Sequence, residues 1–193
     1  MARPAVFLDR DGTVTREVGY VNHVDRLELL PHSAVAIRRL NEAGVPAVLI
    51  TNQAGVARGY FSLDLLEQTH ARLRELLAAE GAHLDGLYFC PHVPEGKVAP
   101  FNIDCECRKP KTKMLHDAAR DLDLDLPASF TVGDKITDVI MAHRVQARGV
   151  FVLTGYGRGD LENQSLAWSE RPDHIAEHLG DAVDWILREM KRD

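Results

Sequence analysis

Short apolar runs alternate with longer amphipathic segments along the chain. The runs near 5–8, 45–51, 86–90, 129–132 and 149–153 are brief and end in charge or turn residues, which reads as buried strands. The segments near 32–43, 62–80, 112–122, 136–147 and 180–191 carry apolar residues at helical spacing. In the second of these, Leu63, Leu66, Leu73, Leu76 and Leu77 recur near that spacing, and Ser62 stands where an N-cap belongs. Gly44 and Gly81 follow helical segments and suit C-terminal caps. A short strand near 174–176 precedes the last helix. This alternation predicts an α/β fold with a mostly parallel, Rossmann-like sheet and helices on both faces. The stretch from the first strand to Pro31 is irregular and is expected over the ligand crevice. No insertion is long enough for a large cap domain, so loops alone should close the site.

Composition narrows the classes. The chain has 193 residues, and no Pro/Gly/Ser linker divides it, so 1–193 reads as a single domain. A hydrophobic fraction of 45% is ordinary for a globular protein. No apolar run approaches the roughly 20 residues needed to span a bilayer. Met1-Ala2-Arg3-Pro4 lacks an apolar signal region, so a cytoplasmic location is expected. A net charge of −6 argues against a nucleic-acid partner, though a local basic pocket remains open. No coiled coil or apolar interface helix stands out, so a monomer is expected.

Four chemical segments stand out, three at strand ends and one before a helix. Phe7-Leu8-Asp9-Arg10-Asp11-Gly12-Thr13 sets two carboxylates two residues apart after the first strand. Ile50-Thr51-Asn52-Gln53 ends the second strand on a hydroxyl. Arg108-Lys109-Pro110 puts two cations before a helix. Val132-Gly133-Asp134-Lys135-Ile136-Thr137-Asp138 ends the fourth run in an acidic cluster. Taken singly, each has a bland reading as a capped turn, a strand-end threonine or a solvated charge pair. In this order they resemble the four motifs of the haloacid dehalogenase (HAD) superfamily, in its aspartate-nucleophile phosphatase branch, over essentially the whole chain.

That resemblance implies roles. Asp9 would be the nucleophile, and Asp11 the general acid–base. Thr51 and Lys109 would hold the transferring phosphoryl group. Mg²⁺ would sit on Asp9, Asp134 and the backbone carbonyl of Asp11, with Asp138 orienting ligands or waters.

All three cysteines occur in one window, Cys90-Pro91-His92 and, after twelve intervening residues, Cys105-Glu106-Cys107. With His92 they form a Cys₃His set suited to a closed, structural zinc site in the loop 90–107. An odd count in a chain expected to be cytoplasmic fits disulfides poorly. Arg108 and Lys109 follow the last ligand directly, so zinc would position both.

The zinc loop narrows the resemblance to the subgroup that holds heptose bisphosphate and histidinol-phosphate phosphatases. Gly19-Tyr20-Val21, the Thr51–Gly59 segment and the longer zinc-loop spacing favour the heptose members, implying removal of the 7-phosphate from a sugar bisphosphate. By that resemblance Glu17, Val18, Gly19, Tyr20, Asn52, Gln53, Ala54, Arg108 and Lys135 bind substrate. Ala54 replaces the subgroup's serine, and Glu17-Val18 replaces its Asp-His. Arg58 is a weaker candidate for the distal phosphate. The rivals are a histidinol-phosphate or broader phosphomonoesterase, a nucleic-acid 3′-phosphatase, and a zinc-stabilised binding module. The acidic balance opposes the 3′-phosphatase, and the module leaves Asp9, Asp11, Thr51, Lys109 and Asp134 without a purpose.

Overall fold

The computed structural model describes residues 2–192. Six parallel strands form one sheet: β1 Val6–Leu8, β2 Ala47–Asn52, β3 Gly86–Cys90, β4 Phe130–Gly133, β5 Arg148–Val152 and β6 His174–Ala176. Their order is β3-β2-β1-β4-β5-β6. The chain winds one way from β1 to β3 and the other way from β4 to β6. The order therefore reverses between β1 and β4, and an open α/β sheet keeps its ligand crevice at the carboxyl ends of such a pair.

Alternate strand residues feed two cores. Val6, Leu8, Ala47, Leu49, Phe130 and Val132 point to one face. There they meet α1 (Ser33–Glu42), α3 (Leu63–Ala79) and α7 (Leu179–Glu189), through residues such as Ile37, Leu73 and Val183. Ala5, Phe7, Val48 and Ile50 point to the other, against Met114 and Leu115 of α4 (Lys113–Leu122) and Met141 of α5 (Ile136–Arg144). The period-two side-chain alternation of a strand makes this two-sided burial possible. Among the described residues no large cap domain is inserted.

The element ends have local causes. Ser62 accepts from the Leu65 amide and caps α3. Gly44 and Gly81 take left-handed backbone just beyond α1 and α3. β2 starts at Ala47, two residues later than expected, because the Val45 amide turns back to Leu40 O and Pro46 has no amide to give. α5 stops at Arg144, where Gln146 turns to φ 63° and the Ala147 amide returns to Ala142 O. The sequence reading lacked two short helices, α2 (Gly55–Arg58) and α6 (Gly157–Gln164). Neither is long enough for a hydrophobic period to show. Among the described residues no helix is long and apolar enough to cross a membrane.

Candidate active site

Asp9 follows β1, and Asp134 follows β4, so the two carboxylates meet at the reversal point. The Asp9 amide donates to Val132 O at 2.9 Å and locks one strand end to the other. Lys109 Nζ lies 2.9 Å from Asp9 Oδ1 and 2.7 Å from Asp138 Oδ1. The carboxylates of Asp9, Asp134 and Asp138 all approach within 4.8 Å of one another, and all three residues are buried. Asp138 thus stands inside the cluster, closer than an orienting residue on the next turn need be.

Two of these three buried carboxylates, Asp9 and Asp138, share the one Lys109 ammonium. Burial first, then the charge of Asp9, pushes the Asp134 carboxyl up to about 8. Asp138 is pushed up to about 6 by burial, which outweighs the pull of Lys109. Lys109 stays firmly protonated: burial opposes its charge, but Asp138 and Asp9 prevail. Asp134 Oδ2 accepts from the Tyr156 amide at 2.8 Å, whereas its Oδ1 is buried without a donor, as is Asp138 Oδ2. A buried carboxylate oxygen without a donor costs free energy unless a cation meets it. The set fits a small, oxygen-seeking divalent ion. Gly12, at φ 84°, makes room, since a Cβ there would lie 2.2 Å from Asp134 Oδ2.

Asp11 sits in a second network. Arg10, only 1% exposed, reaches it with Nε and Nη2, at 3.0 and 2.8 Å. Arg10 Nη2 also donates to Gln53 Oε1, and Nη1 faces His70 Nε2 at 3.3 Å. His70 is held neutral, pushed down to about 3 by burial and by Arg10. Gln53 Nε2 completes the net at 2.8 Å from both Asp11 Oδ2 and Thr51 Oγ1. Burial would raise the Asp11 carboxyl, but the Arg10 charge and the bonds from Arg10, Gln53 and Thr15 outweigh it and hold the carboxyl low.

A cavity of about 340 Å³ opens above these groups. Asp9, Asp11, Glu17, Gly19, Tyr20, Thr51, Asn52, Gln53, Ala54, Arg108, Lys109 and Lys135 all line it. Val18 does not: its side chain packs on the larger core, and its carbonyl accepts from Arg26. Gln53 lines the wall with its amide already committed to Arg10, Asp11 and Thr51. Burial raises the Glu17 carboxyl, against the amide of Gly19 that bonds it. Arg10, Thr137 and Tyr156 were missed by sequence reasoning. The run Leu153-Thr154-Gly155-Tyr156 at the carboxyl end of β5 was the available signal for Tyr156.

The zinc-loop residues converge. Cys90 Sγ lies 3.0 Å from Cys107 Sγ and 3.4 Å from Cys105 Sγ, and His92 Nδ1 lies 3.3 Å from Cys107 Sγ. These separations are far beyond the roughly 2.05 Å of a disulfide. Tetrahedral zinc with bonds of about 2.3 Å spaces its sulfurs by about 3.8 Å, so a small expansion admits the ion. Hydrogen bonding to Cys107 and burial keep the proton on Cys90, while the facing thiols and His92 push Cys107 down to about 5. Arg108 Nη1 donates to the carbonyl of His92, which ties the first cation to this cluster.

Known proteins match this architecture. The HAD-hydrolase-like family model matches residues 106–182. The D-glycero-D-manno-heptose-1,7-bisphosphate 7-phosphatase of Thermosynechococcus vestitus is 50% identical over 98% of both chains. The D-glycero-beta-D-manno-heptose-1,7-bisphosphate 7-phosphatase of Escherichia coli K12 is 36% identical, covering 97% of this chain and 90% of its own. The structure of the D,D-heptose 1,7-bisphosphate phosphatase from B. bronchiseptica, complexed with magnesium and phosphate, superposes with a TM-score of 0.83 at 34% identity. That match covers 96% of this chain and 99% of the other. On full-length similarity of this degree, the chain belongs to the heptose-1,7-bisphosphate 7-phosphatase family of HAD-like phosphoric monoester hydrolases.

Proposed function

We propose that the chain removes the 7-phosphate of D-glycero-D-manno-heptose 1,7-bisphosphate by way of an aspartyl-phosphate. The observation that carries the chemistry is the buried meeting of Asp9, Asp134 and Lys109 at the sheet's reversal point. The heptose substrate rests on the named relatives. Asp9 and Asp134 would hold Mg²⁺, with Asp138 beside them, and the ion would supply charge neutralisation for the phosphoryl oxygens.

Asp9 attacks phosphorus as the bond to the sugar's 7-oxygen breaks. Lys109 and the Thr51 hydroxyl meet the phosphoryl oxygens. Asp11 gives its proton to the leaving oxygen. An incoming phosphate dianion disfavours the ionised carboxylate, so Asp11 gains its proton as substrate binds against the pull of Arg10. In the second half Asp11 takes a proton from water, which attacks the aspartyl-phosphate. Inorganic phosphate leaves and the Asp9 carboxylate returns.

Cys90, His92, Cys105 and Cys107 would hold a structural zinc whose work is to fix Arg108 and Lys109. The test is Mg²⁺-dependent phosphate release from both heptose 1,7-bisphosphate anomers, with histidinol phosphate in parallel. A dominant kcat/KM for one bisphosphate upholds the reading. A dominant value for histidinol phosphate replaces the substrate, and turnover by Asp9→Asn removes the nucleophile.

A further inference from the structure

Resting on the reading of Asp11 as the general acid, we propose that His70 is a positioning residue for that acid and acts on it through Arg10. His70 lies on α3 in line with Leu66, Leu73 and Leu77, the stripe that this helix buries. It is 3% exposed, stands outside the cavity lining, and has its ring centroid 5.3 Å from that of Phe89 on β3. A leucine would serve packing equally well at such a position. What the imidazole adds is a polar contact: Nε2 stands 3.3 Å from Arg10 Nη1. A guanidinium can only donate, so Nε2 accepts, and the neutral ring carries its proton on Nδ1. Burial and the Arg10 charge keep it neutral.

The contact matters because of how Arg10 is spent. Its Nε and Nη2 meet the two oxygens of Asp11, at 3.0 and 2.8 Å, and Nη2 also reaches Gln53 Oε1 at 2.9 Å. The guanidinium is a planar, rigid fork. His70 takes the nitrogen at its far corner, Nη1, and so sets the swing of the whole plane. A buried N–H that loses its acceptor is costly, so without His70 the guanidinium turns toward another. Because the fork is rigid, that turn is carried to both oxygens of Asp11 and to Gln53, which itself donates to Asp11 and Thr51. Asp11 has to present a proton to the leaving oxygen, and misplacement of a reacting group by about 1 Å can cost about 10²-fold in rate. The helix α3 thus reaches the chemistry without placing this side chain in the cavity.

Kinetics of His70→Leu on two esters test the assignment. Heptose 1,7-bisphosphate expels a sugar alkoxide that needs the acid's proton, whereas dinitrophenyl phosphate expels a stable phenolate that does not. The ratio of the two kcat/KM values within one preparation is independent of how much of the protein is folded. The expected fall is about 10- to 100-fold with the bisphosphate and less than about 3-fold with the nitrophenyl ester. His70→Gln, which keeps an acceptor toward Arg10, recovers most of the loss. Equal losses on both esters overturn the assignment, because they mark a structural role. So does His70→Gln no better than His70→Leu, or an unchanged value on the bisphosphate. In each of these cases an Asp11→Asn protein that still discriminates between the esters leaves the proposed mechanism standing. An Asp11→Asn protein that loses equally on both removes Asp11 as the acid, and the assignment with it.

Discussion

Asn52 clasps the backbone of Lys109: its Oδ1 accepts from the Lys109 amide at 3.0 Å, and its Nδ2 donates to the Lys109 carbonyl at 3.3 Å. The side chain acts as a short length of strand and fastens the end of β2 to the residue that neutralises Asp9. Asn52→Ala removes both bonds, so kcat falls by roughly 10²-fold as Lys109 drifts, with little change in KM. Steady-state kinetics check this, and a change confined to KM would instead make Asn52 a substrate contact.

Lys109 bears on stability as well as on the proposed chemistry. Lys109→Met strands two buried carboxylates, Asp9 and Asp138, and costs about 3–5 kcal/mol of folding free energy in the metal-free protein. Urea unfolding measures it. An unchanged midpoint would mean that neither carboxylate is ionised beside the lysine.

The Asp134 carboxyl predicts a pH-dependent response to magnesium. Its folded value near 8 lies far above the roughly 3.9 of an unfolded aspartate. Between those values the folded chain holds a proton that the unfolded chain lacks, so this group's contribution to metal-free stability falls as pH rises and levels off above about 8. A bound divalent ion displaces that proton. The gain in Tm from added Mg²⁺ therefore grows from pH 6 to pH 8 and then flattens, and calorimetry in two buffers shows proton release. A gain largest at pH 6 would contradict the assignment of Asp134 as a ligand.

Zinc loss should reach the chemistry without zinc taking part in it. Cys107→Ser breaks the set beside Arg108, whose Nη1 is held by the His92 carbonyl. Zinc content falls and kcat drops as Arg108 and Lys109 lose their fixed positions. Metal analysis alongside kinetics decides the matter. Full turnover from zinc-free protein would leave the loop without a role in catalysis.

What the sequence made legible follows physical range. Asp9, Thr51 and Asp134 were readable because an apolar strand ending in a polar residue fixes where that side chain emerges. The Cys/His cluster was readable because four residues within one loop need no tertiary knowledge. Arg10 was not, since an arginine between two aspartates looks solvated until His70, 60 residues on, and Gln53 are brought around it. Gln53 and Asn52 were read as substrate contacts, and their bonds to Arg10, Asp11, Thr51 and Lys109 depend on segments that meet only in the fold. Val18 matched by motif position, but its side chain turned to the core.

The strand order carries a consequence for biosynthesis. Asp9 leaves the ribosome early, just after a strand that must lie in the middle of the sheet. Its neighbour on one side arrives late: the Ala5 amide is fastened to Ser129, 124 residues further along. Until that neighbour emerges, the crevice has one wall, and Asp134 has not been synthesised. A nascent chain thus cannot assemble this carboxylate cluster for most of its translation, and under the proposed mechanism return of turnover after dilution from denaturant reports the long-range pairing of β1 with β4 rather than any local part.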